Sequence, residues 1–81
     1  MADTEIQDRI NALSDEQDRL YSQASHADGL TGAQADRIRE IREEIDRAYD
    51  LLHQRQARRN AGMDPDDAEP RPAAVVERYL Q

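Results

Sequence analysis

The chain has 81 residues and a net charge of −7, with 36% charged and 37% hydrophobic residues and no Phe, Trp or Cys. That leaves room for one small domain with too little large apolar mass for an ordinary globular core, a balance that suits long amphipathic helices. The composition excludes disulfides, thiolate metal sites and cysteine nucleophiles, and it disfavours attraction to nucleic acid or anionic membrane.

The opening "MADTEIQDRI" is acidic and lacks a long apolar stretch, so it does not read as a signal peptide. No apolar run approaches about 20 residues, so no membrane span is expected. A cytoplasmic protein is the expectation.

The first periodic segment carries Ile6, Ile10, Leu13 and Leu20, with Gln17 filling the gap in the pattern. Steps of three and four put these residues on one helical seam. Thr4 with Gln7 fits a capping box, so the helix is expected over about 4–25. The stretch "SHADGLTG" follows and is rich in helix breakers, which places a turn at 26–31. Thr31 with Gln34 repeats the capping box, and Leu30 precedes it as a weak staple against Ala35. The second helix, about 32–60, has its seam at Ile38, Ile41, Ile45, Ala48 and Leu52. At 1.5 Å per residue the two helices are roughly 32 and 43 Å long, so the second overhangs by about two turns.

Paired antiparallel, Leu20 faces Ile38, Gln17 faces Ile41, Leu13 faces Ile45, Ile10 faces Ala48 and Ile6 faces Leu52. One register satisfies every layer, and its midpoint is Gly29, where a positive φ costs least. The expectation is an all-α, antiparallel two-helix coiled-coil hairpin over 1–62 with a Pro-containing tail over 63–81.

The stretch "RQARRNAGMDPDD" reverses sign abruptly. Arg55, Arg58 and Arg59 occupy the last turns of the long helix, where the macrodipole favours cations. Gly62 is the expected stop. Asp64 and Pro65 restart the chain as N-cap and N1, with Asp66 and Asp67 in the first turn. The tail "EPRPAAVVERYLQ" then suggests a short helix from about 72 to 80, with Val75, Val76, Tyr79 and Leu80 on one side.

A two-helix hairpin is thin, so something else should cover it. One flank of the seam carries Ser14, Tyr21, Ala35, Arg42, Tyr49 and Gln56; the other carries Arg9, Glu16, Arg37, Glu44, Leu51 and Arg58. Tyrosines favour interfaces, because a large ring is buried while its polar tip stays satisfied. The expected partner surface is therefore Ser14, Tyr21, Ala35 and Tyr49, occupied by a second hairpin in a homodimeric four-helix bundle. The alternative is that the tail folds back over the same flank. Glu5→Arg9, Asp15→Arg19 and Glu43→Arg47 are spaced for solvated i,i+4 pairs.

Chemistry finds little support. His26 and His53 lie far apart in this register, and His26-Ala27-Asp28 reads as a solvated turn. Neither helix has Glu-x-x-His for a di-iron site, and "MDPDDAE" lacks EF-hand spacing. Ser14, Ser22 and Ser25 have no histidine placed as base, and no phosphate loop exists. No enzyme and no cofactor are expected. The alternative function is a nucleic-acid-associated regulator using Arg55, Arg58 and Arg59, although no aromatic is interleaved with them for base stacking. An ion pair with the tail aspartates, within the chain or from a dimer mate, is the expected use of these arginines.

"RQARRNAG-DPDDAE" and the closing "VVERYLQ" resemble a family of short actinobacterial proteins, domain of unknown function 2630. "ADTEIQDRINALSDEQDRL" and "GLTGAQADRIREIREEIDRAYDLL" are similar to its N-terminal half, so the resemblance covers essentially the whole chain. It implies a small, helical, cytoplasmic protein and carries no activity, ligand or catalytic residue.

Overall fold

In a computed structural model, residues 2–26 and 29–80 are described. The side chains of Ser25, His26, Tyr79 and Leu80 lie outside the described set. So does the His26-Ala27-Asp28 turn, and so do the Tyr79 and Leu80 parts of the expected apolar patch.

Two long helices pack against each other: α1, Asp3–His26, and α2, Gly32–Asn60. A 3-10 turn, Pro65–Asp67, and a short α3, Ala73–Leu80, both pack on α2. No strand occurs among the described residues. Cross-helix bonds join Arg37 to Glu16, Arg9 to Glu44, Arg42 to Tyr21 and Arg55 to Asp3. Together they define one antiparallel register centred near Gly29. That glycine has φ +111° with open space where a Cβ would stand, so backbone conformation and not crowding calls for glycine.

Ile6, Ile10, Leu13, Ile38 and Ile41 are buried, with Ile41 fully so. Leu20, Ile45, Ala48 and Leu52 are only half-buried, as is Gln17 at the polar layer opposite Ile41. The radius of gyration is 15.2 Å, against about 12 Å for a compact domain of this length. The molecule is a rod with one narrow apolar seam.

The helix ends follow local chemistry. Thr31 accepts from the Gln34 amide at 3.1 Å while the Gln34 side chain accepts from the Thr31 amide at 2.9 Å, a complete capping box. At the far end the Met63 amide donates to the Arg58 carbonyl at 2.8 Å and the Gly62 amide to the Arg59 carbonyl at 3.1 Å. With Gly62 at φ +73° this is a Schellman stop. Asp64 then accepts from the Asp66 amide at 2.9 Å, with Pro65 first in the 3-10 turn.

Two expected starts are corrected. Thr4 does not cap α1; the helix begins a residue earlier, and the Ala2 carbonyl accepts from the Glu5 and Ile6 amides at 3.1 and 3.3 Å. Asp3 and Glu5 in the first turn complement the helix dipole without a hydroxyl cap. Pro72 precedes α3 instead of opening it, because its carbonyl accepts from the Val75 and Val76 amides at 3.0 and 3.1 Å.

Candidate interaction surfaces

The segment after Gly62 runs back along α2 as a strap, and it takes the flank opposite the tyrosines. Ala68 packs against the Ile6, Ile10 and Leu51 cluster, and Val76 is 3% exposed. Arg71 grips Asp50 with both Nε and Nη2; the Nε bond is 2.8 Å. Arg47 donates to the Arg71 carbonyl at 2.8 Å, and Gln54 donates to the Glu69 carbonyl at 3.0 Å. Pro70 roofs an apolar groove of about 190 Å³ floored by Ile6, Leu13, Ala48 and Leu51. The alternative in which the tail covers the tyrosines is therefore overturned. Asp50, Leu51 and Gln54 lie around the far side of α2 from Tyr49, and the strap follows them.

The tyrosine flank stays open. Tyr21 is 40% exposed and Tyr49 48%. Ser14 and Ala35 beside them are half-buried. Ile45, Tyr49, Leu52 and Gln56 succeed one another in steps of four and three, so they form one stripe on α2. Gln7, Ile10, Asn11, Tyr49 and Leu52 line a shallow groove of about 230 Å³. Arg42 is the single charge among the six flank positions, and it donates to the Tyr21 hydroxyl at 2.7 Å. The face is therefore poor in charge on a chain that carries −7.

The arginine end is a joint and not an exposed patch. Arg55 is 6% exposed. Its Nε donates to Asp3, and its Nη1 donates to Asp66 at 3.0 Å and to the Pro65 carbonyl at 3.1 Å. Arg59 donates to the other Asp3 oxygen at 2.7 Å. Hydrogen bonds from Arg59 and then Arg55 hold the Asp3 carboxyl below its ordinary value of 3.8. Asp3, followed by Asp66, pushes the Arg55 guanidinium up. Of the three clustered arginines, Arg58, half-buried, is the one that forms no ion pair among the described residues. Three arginines spaced as a cluster in sequence thus divide between a buried clamp, a neutralised pair and one remaining cation.

The expected i,i+4 pairs are also corrected: none of Glu5–Arg9, Asp15–Arg19 and Glu43–Arg47 forms a salt bridge among the described residues. Arg9 reaches across to Glu44 at 3.3 Å, and Arg37 meets Glu16 at 2.6 Å. Where a facing helix offers a carboxylate, the long arginine side chain bridges to it. Arg37 holds the Glu16 carboxyl below its ordinary 4.5, and Arg71 together with Gln54 holds Asp50 below 3.8. No group of three His, Asp or Glu side chains among the described residues is placed to hold a metal ion.

A family model described as "Protein of unknown function (DUF2630)" matches residues 2–81. The chain belongs to this family. The match takes in hairpin and strap together, so the DUF2630 unit includes the segment that locks onto α2. The chain is 38% identical over 77 residues to uncharacterized proteins of Mycobacterium tuberculosis and Mycobacterium bovis, covering 95% of this chain and 88% of each relative. No solved structure matches it. Among the described residues no helix is long and apolar enough to cross a membrane.

Sequence reasoning expected the arginines to pair with the tail aspartates, as Arg55 does with Asp66, and missed Asp3 as the second partner of Arg55 and the Asp50–Arg71 lock. The one signal available for the lock was Arg71 set between Pro70 and Pro72, a cation on a segment unable to form helix or sheet of its own.

Proposed function

We propose that this DUF2630 member is a non-enzymatic interaction module whose working surface is the tyrosine flank, occupied by a second copy in a two-fold four-helix bundle. The observation that carries this reading is the strap's choice of side. The strap covers the opposite flank, leaving Tyr21, Tyr49 and the half-buried Ile45 and Leu52 at the surface among the described residues. A face the length of α1, about 36 Å, and two helices wide, about 20 Å, offers roughly 700 Å². A standard interface takes about 800 Å² per partner. The charge-poor flank also lets two acidic chains meet where their repulsion is weakest. The acidic, cysteine-free composition suits a cytoplasmic setting.

Light scattering at tens of micromolar tests the reading. A dimer mass that Tyr49→Glu shifts toward monomer is the expected result, and a monomer of the unmodified chain at that concentration would overturn it. The arginine end gives little support to nucleic-acid binding, because Arg55 is buried and Arg59 already holds Asp3. Retention on RNA or DNA at low salt, abolished by Arg58→Ala, would reverse that judgement.

A further inference from the structure

The strap lies along α2 as a bound peptide lies along a receptor. Arg47, Asp50 and Gln54 follow one another by three and four residues and form a single stripe. From this stripe Arg47 donates to the Arg71 carbonyl and Gln54 to the Glu69 carbonyl. At its end Arg55 donates to the Pro65 carbonyl. These contacts read the main chain and are indifferent to side chains.

Asp50 supplies the selectivity. Its side chain is 10% exposed, and it accepts the Arg71 guanidinium through both oxygens, a two-pronged geometry that lysine cannot reproduce. Gln54 donates to the same carboxylate at 2.9 Å and fixes its orientation. Pro70 and Pro72 set φ near −65° on both sides of Arg71 and remove two amide donors. The segment is therefore extended before it docks and leaves no backbone N–H at those positions in need of a partner. Val76, buried beyond it, is the apolar anchor.

We infer that the stripe Arg47–Asp50–Gln54, with Arg55 beside its end, is a docking site for an extended segment with arginine between prolines, that the chain's own strap is its resident occupant, and that the partner it fits is the same segment of a second copy. The identity of sequence makes the second copy's strap chemically equal to the first. The short tether gives the resident strap an effective concentration of the order of millimolar. Exchange is accordingly rare until the resident arginine is lost.

The test uses the full-length chain and a fluorescent peptide of residues 68–78. Arg71→Ala leaves Asp50 without its resident cation, and this variant is expected to bind the peptide at least about ten-fold more tightly than the unmodified chain. Replacing the peptide's own arginine by alanine, or adding Asp50→Asn to the variant, is expected to abolish the gain. Equal weak binding by both chains, or binding indifferent to Asp50→Asn, overturns the inference. If Arg71→Ala fails to fold, the unmodified chain decides the matter by NMR. Its Arg71 Nε–H signal should lose its paired position as peptide rises through about 10 mM, and a signal unmoved at that concentration sinks the proposal. Neither arm depends on the tyrosine flank, which Tyr49→Glu probes separately.

Discussion

Ile41 and Ile45 are the same residue one helical turn apart, yet they meet different surroundings, and the same substitution at each separates the hairpin from the proposed dimer. Ile41 is 0% exposed on the seam opposite Gln17. Ile41→Ala removes three carbons, about 2.4 kcal/mol at roughly 0.8 per methylene, and the closed site adds a cavity cost, for about 3–4 kcal/mol in all. Ile45 is half-buried, packed against the Ile6, Ile10 and Leu51 cluster at the edge of the seam one turn from Tyr49. In a lone chain about half the transfer cost applies and no closed cavity forms, so Ile45→Ala should lose only about 1 kcal/mol. In the proposed dimer a second copy covers Ile45, and its cost should climb toward that of Ile41 as protein concentration rises. Urea denaturation of both variants at about 1 and 100 μM is the assay. Should Ile41→Ala prove too unstable, Ile41→Val, expected to lose about 0.5–1.5 kcal/mol, stands in. A loss below about 1 kcal/mol for Ile41→Ala would refute the seam. A cost for Ile45→Ala that stays small and independent of concentration would refute the covered flank while leaving the hairpin intact.

Asp3, Glu16 and Asp50 all have carboxyls held below their ordinary values in the folded chain. Their contribution is therefore complete above the unfolded values of 3.8 and 4.5 and is lost as pH falls through the lower folded ones. Thermal melting should accordingly be level from pH 7 to about 5.5 and fall below about 4.5, with a shallower fall in Asp50→Asn. Gly29→Ala forces a side chain to φ +111°, and a loss of roughly 1–2 kcal/mol should appear in chemical denaturation. Arg55→Met removes the link from α2 to the 3-10 turn and one of the two links to Asp3, so hydrogen exchange should accelerate at residues 65–68 and, less, at residues 3–6, where Arg59 still holds Asp3, while the amides around Ile41 keep their protection.

The sequence by itself determined the hairpin. Periodicity, capping and chain reversal are effects of residues three or four apart, so Ile6 through Leu52 mark the seam, Thr31 and Gln34 the start of α2, and Gly29 and Gly62 the two breaks, before any contact between helices is known. Tertiary structure alone decided where the strap goes and which further carboxylates the arginines take. Eighteen acidic and eleven basic residues permit many pairings of similar merit. Local spacing cannot rank Asp50 for Arg71, 21 residues away, or Asp3 for Arg55, 52 residues away. Those choices follow from which side of α2 the chain leaves after Gly62 and from the burial that makes a satisfied guanidinium preferable to a stranded one. The open tyrosine flank is the consequence: the sequence marked it as a surface suited to a partner, and only the packing of the strap elsewhere left it uncovered.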